Sequence, residues 1–263
     1  MDLGLAGRIA VVTGGSRGMG RAIALRLASE GAQVAICARS PSELRRAADD
    51  IEAETGRRPF HQTCDLSDGD AIAAFMAMVE SEFGGVDILV ANAGGPPRRP
   101  ALALDDADWE ACFVLNFMSV VRLMRSAIPS MRRRGGGRIV TITSTSVERP
   151  LQEFALSNAM RPAVLGLVRT LACEMAPFGI RINNICPGRI GTERVVARED
   201  AVARETGRAV DELRRGMLAR IPLGRYGAAS EVADAVAYVV SDRATYLTGA
   251  SIVIDGGLTL AGH

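Results

Sequence analysis

The sequence predicts an α/β fold: one doubly wound parallel sheet with helices on both faces. Three observations carry that expectation. Short apolar runs alternate with amphipathic helical stretches from end to end, the pattern of repeated strand–helix–strand crossovers. Apolar residues make up 48% of the chain and aromatics only 4%, so the core is aliphatic, as in strands covered on both sides. A run of glycines, Thr13-Gly14-Gly15-Ser16-Arg17-Gly18-Met19-Gly20, lies between the first apolar run and the first helical stretch.

In chain order, Ile9–Thr13 reads as the first strand, being continuously apolar and too short for a helix. An amphipathic stretch over 20–29 follows, then a strand at Gln33–Ala38 and a helix over 41–54. The same alternation gives a strand over 60–64, a helix over 70–83, a strand at Ile88–Ala91 and a long helix over 106–133. Strands over 139–143, 181–186 and 251–254 complete the set, with a helix over 153–176 between the first two. There are no repeats and no linker, so residues 1–263 are expected to form a single domain. Residues 193–222 break the rhythm: they are charged, Arg-rich and helical in composition, and they follow a strand end. A helical lid over the ligand crevice and a surface insertion both fit them.

A net charge of +1 gives no basic footprint for nucleic acid or an anionic membrane. Arg132, Arg133 and Arg134 run straight into Gly135–Gly137 and read as a solvated helix end. Residues 1–20 lack a secretory pattern, and no window is read as apolar enough to span a membrane. Cys37, Cys64, Cys112, Cys173 and Cys186 are scattered, without metal-ligand spacing. They read as reduced core thiols of a cytoplasmic protein that holds no metal. All 31 basic residues are Arg, the histidines are His61 and His263, and the tyrosines are Tyr226, Tyr238 and Tyr246. That inventory restricts which side chains can move a proton. His61, near the third strand, reads as a buried structural residue.

Glycines in a turn from a strand into a helix let the backbone approach a pyrophosphate, whose charge then meets a helix N-terminus. Thr13–Gly20 therefore points to a Rossmann-type dinucleotide site. The second strand ends at Ala38-Arg39-Ser40, where an acidic residue would bind the ribose 2′-hydroxyl of NAD. Arg39, with Arg17 in the glycine loop, instead suits a 2′-phosphate, so NADP(H) is the expected cofactor; solvated surface arginines are the alternative.

On these residues the chain resembles the short-chain dehydrogenase/reductase family, most of all its 3-oxoacyl-carrier-protein reductase-like branch, over almost its whole length. Gly14, Ser16, Arg17, Gly18, Met19 and Gly20 fit that family's glycine loop. Asp65 and Leu66 fit its adenine-holding position, and Asn92-Ala93-Gly94 its motif after the fourth strand. Asn116 fits the structural Asn of the family's catalytic tetrad, and Ser144 the Ser that orients substrate. Pro187, Gly188 and Thr192 fit the segment that meets the nicotinamide. The resemblance implies a small-molecule substrate and a homo-oligomer, a tetramer or a dimer.

The departure from the family is specific. Its Tyr-x-x-x-Lys pair falls on Ser157 and Arg161, in Ala155-Leu156-Ser157-Asn158-Ala159-Met160-Arg161. No Tyr precedes residue 226 and the chain has no Lys. This resembles a branch carrying Ser and Arg at those places. A Ser hydroxyl is a much weaker acid than a phenol, and Arg stays protonated at physiological pH. Four residues apart, Ser157 and Arg161 share a helix face, where Arg161 can grip the ribose and offset charge on an oxyanion. Pro162 is a candidate kink beyond it. Glu153, read as opening that helix on the same face, and Glu148 are candidate acids; a dipole-favoured helix start and a solvated loop are the alternatives. Arg98 and Arg99 face an acidic substrate, the phosphates of a thioester, or solvent.

Three functional readings follow: an NADPH-dependent carbonyl reductase for ketones or 3-oxoacyl groups, a non-redox enzyme on the same scaffold, or a silent NADP(H)-binding protein. The first leads, because the nicotinamide-side segment at Pro187, Gly188 and Thr192 would otherwise be idle.

Overall fold

The computed structural model describes residues 1–261, so His263 lies outside the described residues. Seven strands form one sheet: β1 (Ile9–Thr13), β2 (Gln33–Ala38), β3 (Phe60–Thr63), β4 (Ile88–Ala91), β5 (Gly137–Ile142), β6 (Ile180–Pro187) and β7 (Ser251–Ile254). All pair in parallel, in the order β3-β2-β1-β4-β5-β6-β7. Val12 of β1 lies between Ile36 of β2 and Val90 of β4. The winding reverses between β1 and β4, so a crevice opens there at the carboxyl ends of the strands.

Nine α-helices accompany the sheet among the described residues: α1 (Gly18–Ser29), α2 (Pro41–Thr55), α3 (Gly69–Phe83), α4 (Asp106–Phe113), α5 (Ser119–Arg133), α6 (Ala155–Met175), α7 (Glu193–Thr206), α8 (Val210–Leu218) and α9 (Ala229–Val240). Strand alternation divides β1 between two cores. Ala10 and Val12 pack with Ile23 and Leu27 of α1 and Val232 and Val236 of α9. Ile9 and Val11 pack with Phe75 and Val79 of α3, Leu123 and Ala127 of α5, and Val164 and Val168 of α6. A strand apolar at every position is thus required by helices on both faces.

The structure corrects several sequence expectations. The stretch over 106–133 is α4 and α5 joined by one π-helical turn, Val114–Met118, with Asn116 inside it. By length and composition this stretch passes for a membrane span, with a mean hydropathy of 1.5. Its apolar side, including Val120, Leu123, Met124 and Met131, is buried in the core under the sheet. α6 starts at Ala155 and continues through Pro162. Glu153 stands before it, at φ +60°, because the chain turns sharply there. α9 has no counterpart in the sequence reading. Cys173 is exposed and not a core thiol, since it lies on the outer side of α6. His61 is only half-buried, on β3 at the sheet edge. Residues 193–222 are helical as expected, forming α7 and α8.

Candidate active site

At the crevice between β1 and β4 lies a cavity of about 400 Å³, within the range of cofactor sites. Gly14, Ser16, Arg17, Gly18, Met19 and Gly20 line one wall. Gly14 and Gly18 have φ of +60° and +54°, and a Cβ on Gly20 would collide with the Gly14 carbonyl. Only glycine meets both demands at once. No side chain caps the start of α1, and its first turn holds no acidic residue. Its free amides therefore face the cavity as an anion site.

Arg39, Asp65, Leu66, Ala93 and Gly94 also line the cavity. Arg17 and Arg39 are both exposed at the cavity rim. Sequence reading did not pick out Glu43, which lines the same cavity and pairs with Arg17 at 3.3 Å. Asp65 uses Oδ1 to accept the Ser67 amide at 2.9 Å. Asn92 borders the cavity, but its side chain works within the protein: Nδ2 donates to the Thr13 carbonyl at 3.1 Å. The Thr13 hydroxyl donates in turn to the Asn92 carbonyl at 2.8 Å. Asn92 thus shapes the glycine loop by tying β1 to β4.

Beyond that cavity, β5 ends at Ile142 and Ser144 begins a short 3₁₀ turn, its hydroxyl accepting the Ser146 amide at 3.2 Å. The Ser146 and Ser157 hydroxyls lie 3.0 Å apart and are buried. Ser146 is the residue sequence reasoning passed over; its signal was position alone, two residues beyond Ser144. One helical turn on, Arg161 is 5% exposed and donates Nη1 to the Ile142 carbonyl at 3.0 Å. Among the described residues no carboxylate pairs with it. Burial pulls the Arg161 guanidinium down to about 10, with Cys112 opposing the shift and Arg194 adding to it.

Asn116 is 1% exposed, and neither its Nδ2 nor its Oδ1 has a partner within the protein. A buried amide left this way points to a ligand or solvent partner. The π turn presents it there, a common use of such turns. Neither candidate carboxylic acid joins this group. Glu148 is exposed, and Glu153 pairs with Arg98 at 2.8 Å instead of sharing the α6 face.

Pro187 ends β6, and the Gly188 amide continues the pairing with β7 by donating to the Ile254 carbonyl at 2.9 Å; neither residue lines the cavity, whereas Thr192 does. Thr192 lies against Gly18 of the glycine loop. Arg194 of α7 reaches across and donates Nη2 to the Gly95 carbonyl at 2.7 Å. Arg98 is half-buried, whereas Arg99 is exposed and pairs with Asp108 at 2.8 Å.

Comparison with known proteins agrees with this geometry. The family model described as enoyl-(acyl carrier protein) reductase matches residues 14–259. The chain is 35% identical over 252 residues to the 3-oxoacyl-[acyl-carrier-protein] reductase FabG of Escherichia coli, covering 96% of this chain and 97% of that protein. L-sorbose reductase from Gluconobacter frateurii, solved with NADPH and L-sorbose, superposes with a TM-score of 0.94 at 33% identity, over 98% of each chain. An NADPH-bound short chain oxidoreductase from Pseudomonas aeruginosa PAO1, described as containing an atypical catalytic center, gives 0.87 at 35% identity, over 95% of this chain and 96% of that one. The chain belongs to the short-chain dehydrogenase/reductase family and is an oxidoreductase of that family.

Proposed function

We propose that the protein is an NADP(H)-dependent carbonyl reductase, acting on a ketone or 3-oxoacyl group, in which Ser157 and Arg161 stand where the family carries Tyr and Lys. The observation that carries this reading is the buried Ser146–Ser157–Arg161 group beside the glycine-lined cavity. The residues present fit the cofactor: glycine-loop amides for the pyrophosphate, Arg17 and Arg39 for the 2′-phosphate, and Asp65 and Leu66 for the adenine. When bound, NADPH supplies the hydride that a carbonyl carbon accepts.

The side chains then have to orient the carbonyl and satisfy its oxygen. Ser144 donates to the carbonyl oxygen and fixes its direction. Arg161 supplies a fixed positive charge in a water-poor site, where it stabilises a developing alkoxide more than bulk water would. At about 10 its guanidinium titrates near an ordinary lysine, yet it remains a cation at neutral pH. Ser157 passes its proton to the alkoxide and recovers one through Ser146. Serine and the product alcohol are similarly weak acids, so the transfer is close to balanced. Asn116 holds the solvent partner that closes this path. Pro187, Gly188 and Thr192 hold the nicotinamide side. As in the resemblance above, the protein assembles as a homo-oligomer, a tetramer or a dimer.

The lack of any Lys, and of any Tyr before residue 226, favours a second reading: non-redox charge stabilisation on the same scaffold. NADPH oxidation measured against a panel of ketones and thioesters separates the two. Loss of turnover in Ser157→Ala and Arg161→Ala supports the reductase. Turnover without a change in nicotinamide absorbance supports the second reading, and variants that match wild type overturn the residue roles.

A further inference from the structure

We infer that the substrate carries a terminal oxyanion, a carboxylate or a phosphate, received by Arg98, Arg189 and Arg198. The inference rests on the carbonyl-reductase reading and names its substrate class. The three arginines come from separate segments: the loop after β4, the loop after β6, and α7. A backbone bridge between Arg99 and Phe154 seats the first loop against the entry to α6. The Arg98 and Arg198 guanidiniums then lie 5.2 and 5.3 Å from the centre of the Phe154 ring. Arg189 lies 5.9 Å from the centre of the Tyr226 ring. Phe154 stands one helical turn before Ser157, so the cluster borders the reacting group.

Bringing like charges together in a partly buried place is costly unless something answers them. Elsewhere in the molecule, Arg8, Arg21, Arg58, Arg134 and Arg225 each have a carboxylate partner. Here, among the described residues, the ion-paired carboxylates are Glu153, which answers Arg98 and is itself 44% exposed, and Glu199, which is taken by Arg214 and the Tyr226 hydroxyl. Arg189 and Arg198 form no ion pair among the described residues, and their Nε atoms are buried without a partner. Burial holds Arg198 below its ordinary range, and Arg98, Arg189 and Arg194 push it further, with Glu153 opposing. The glycine-loop cavity is lined by Arg17, Arg39 and Arg194 and by none of these three, so the adenine and pyrophosphate end of the cofactor does not answer this charge. Guanidinium forks with unmet donors match carboxylate or phosphate oxygens.

The test uses matched pairs at low ionic strength, where charge is least screened: 4-oxopentanoate against its methyl ester, and dihydroxyacetone phosphate against dihydroxyacetone. With NADPH-loaded wild type, the anionic member of at least one pair is expected to bind at least tenfold tighter by calorimetry and to show a correspondingly lower KM. Which pair discriminates identifies the anion. Arg98→Gln and Arg198→Gln are each expected to cut that preference fivefold or more, through KM and not kcat. Glu153→Gln, which frees Arg98, is expected to raise it severalfold. Equal binding of acid and neutral partner in wild type, or a preference that survives both arginine variants, overturns the inference. The reductase reading then stands if neutral ketones still oxidise NADPH. Arginine-dependent binding of the anion with no NADPH oxidised does the reverse: the anion site stands and the reductase reading falls. The wild-type comparison needs no variant to fold.

Discussion

The hydroxyls of Ser146 and Ser157 stand 3.0 Å apart, linking the turn after β5 to the first turn of α6. If they form one proton path, removing either breaks it. Ser146→Ala and Ser157→Ala are each expected to lower kcat about 10²-fold, the usual size of a general acid contribution. The double variant is expected to lose little more than either single one, as members of one unit do. A stopped-flow cycle of the four proteins checks this; additive losses would separate the two residues.

Arg161 gives a pH signature. Its folded value, about 10, lies below that of a free guanidinium. Activity that needs the cation is therefore expected to hold through neutral pH and to fall as pH rises through about 10. Stability moves the other way: the unfolded chain binds the extra proton, so stability rises with pH across the window from about 10 upward. Kinetic and urea-unfolding profiles over that window check both signs.

The proposed 2′-phosphate role of Arg17 and Arg39 predicts an effect on cofactor choice. Arg39→Ala is expected to reduce the NADPH-over-NADH preference about tenfold, the equivalent of about 1.4 kcal/mol. Glu43→Gln is expected to raise it, because Arg17 is then free of its carboxylate partner. Titrations of both coenzymes by protein fluorescence provide the measurement.

Gly20→Ala tests the cradle. The added Cβ meets the Gly14 carbonyl, so either the loop or the start of α1 has to shift. Destabilisation of about 1–3 kcal/mol, with coenzyme affinity lost, is the expected outcome. Calorimetric melting with and without NADPH reads the two effects separately.

Legibility in the sequence followed burial and locality. Ile9–Thr13 and Ile88–Ala91 were readable as strands because helices on both faces demand an apolar residue at every position. The glycine loop was readable because its steric demands lie within a few consecutive residues. The π turn at Asn116 was not, since a shifted backbone hydrogen bond leaves no trace in residue type. Glu153 was misplaced for a related reason: a single left-handed residue turned it away from the helix face assigned to it. Ser146, and the convergence of Arg98, Arg189 and Arg198, depended on loops meeting at the carboxyl ends of the strands, which no local pattern encodes.

The clamp between Thr13 and Asn92 has a further result. One amide anchors the glycine turn, and the loop leaving that residue leads to Arg98. The glycine turn and the proposed anion site thus share one anchor. By thermodynamic reciprocity, whatever factor the coenzyme adds to anion affinity, the anion must return to the coenzyme.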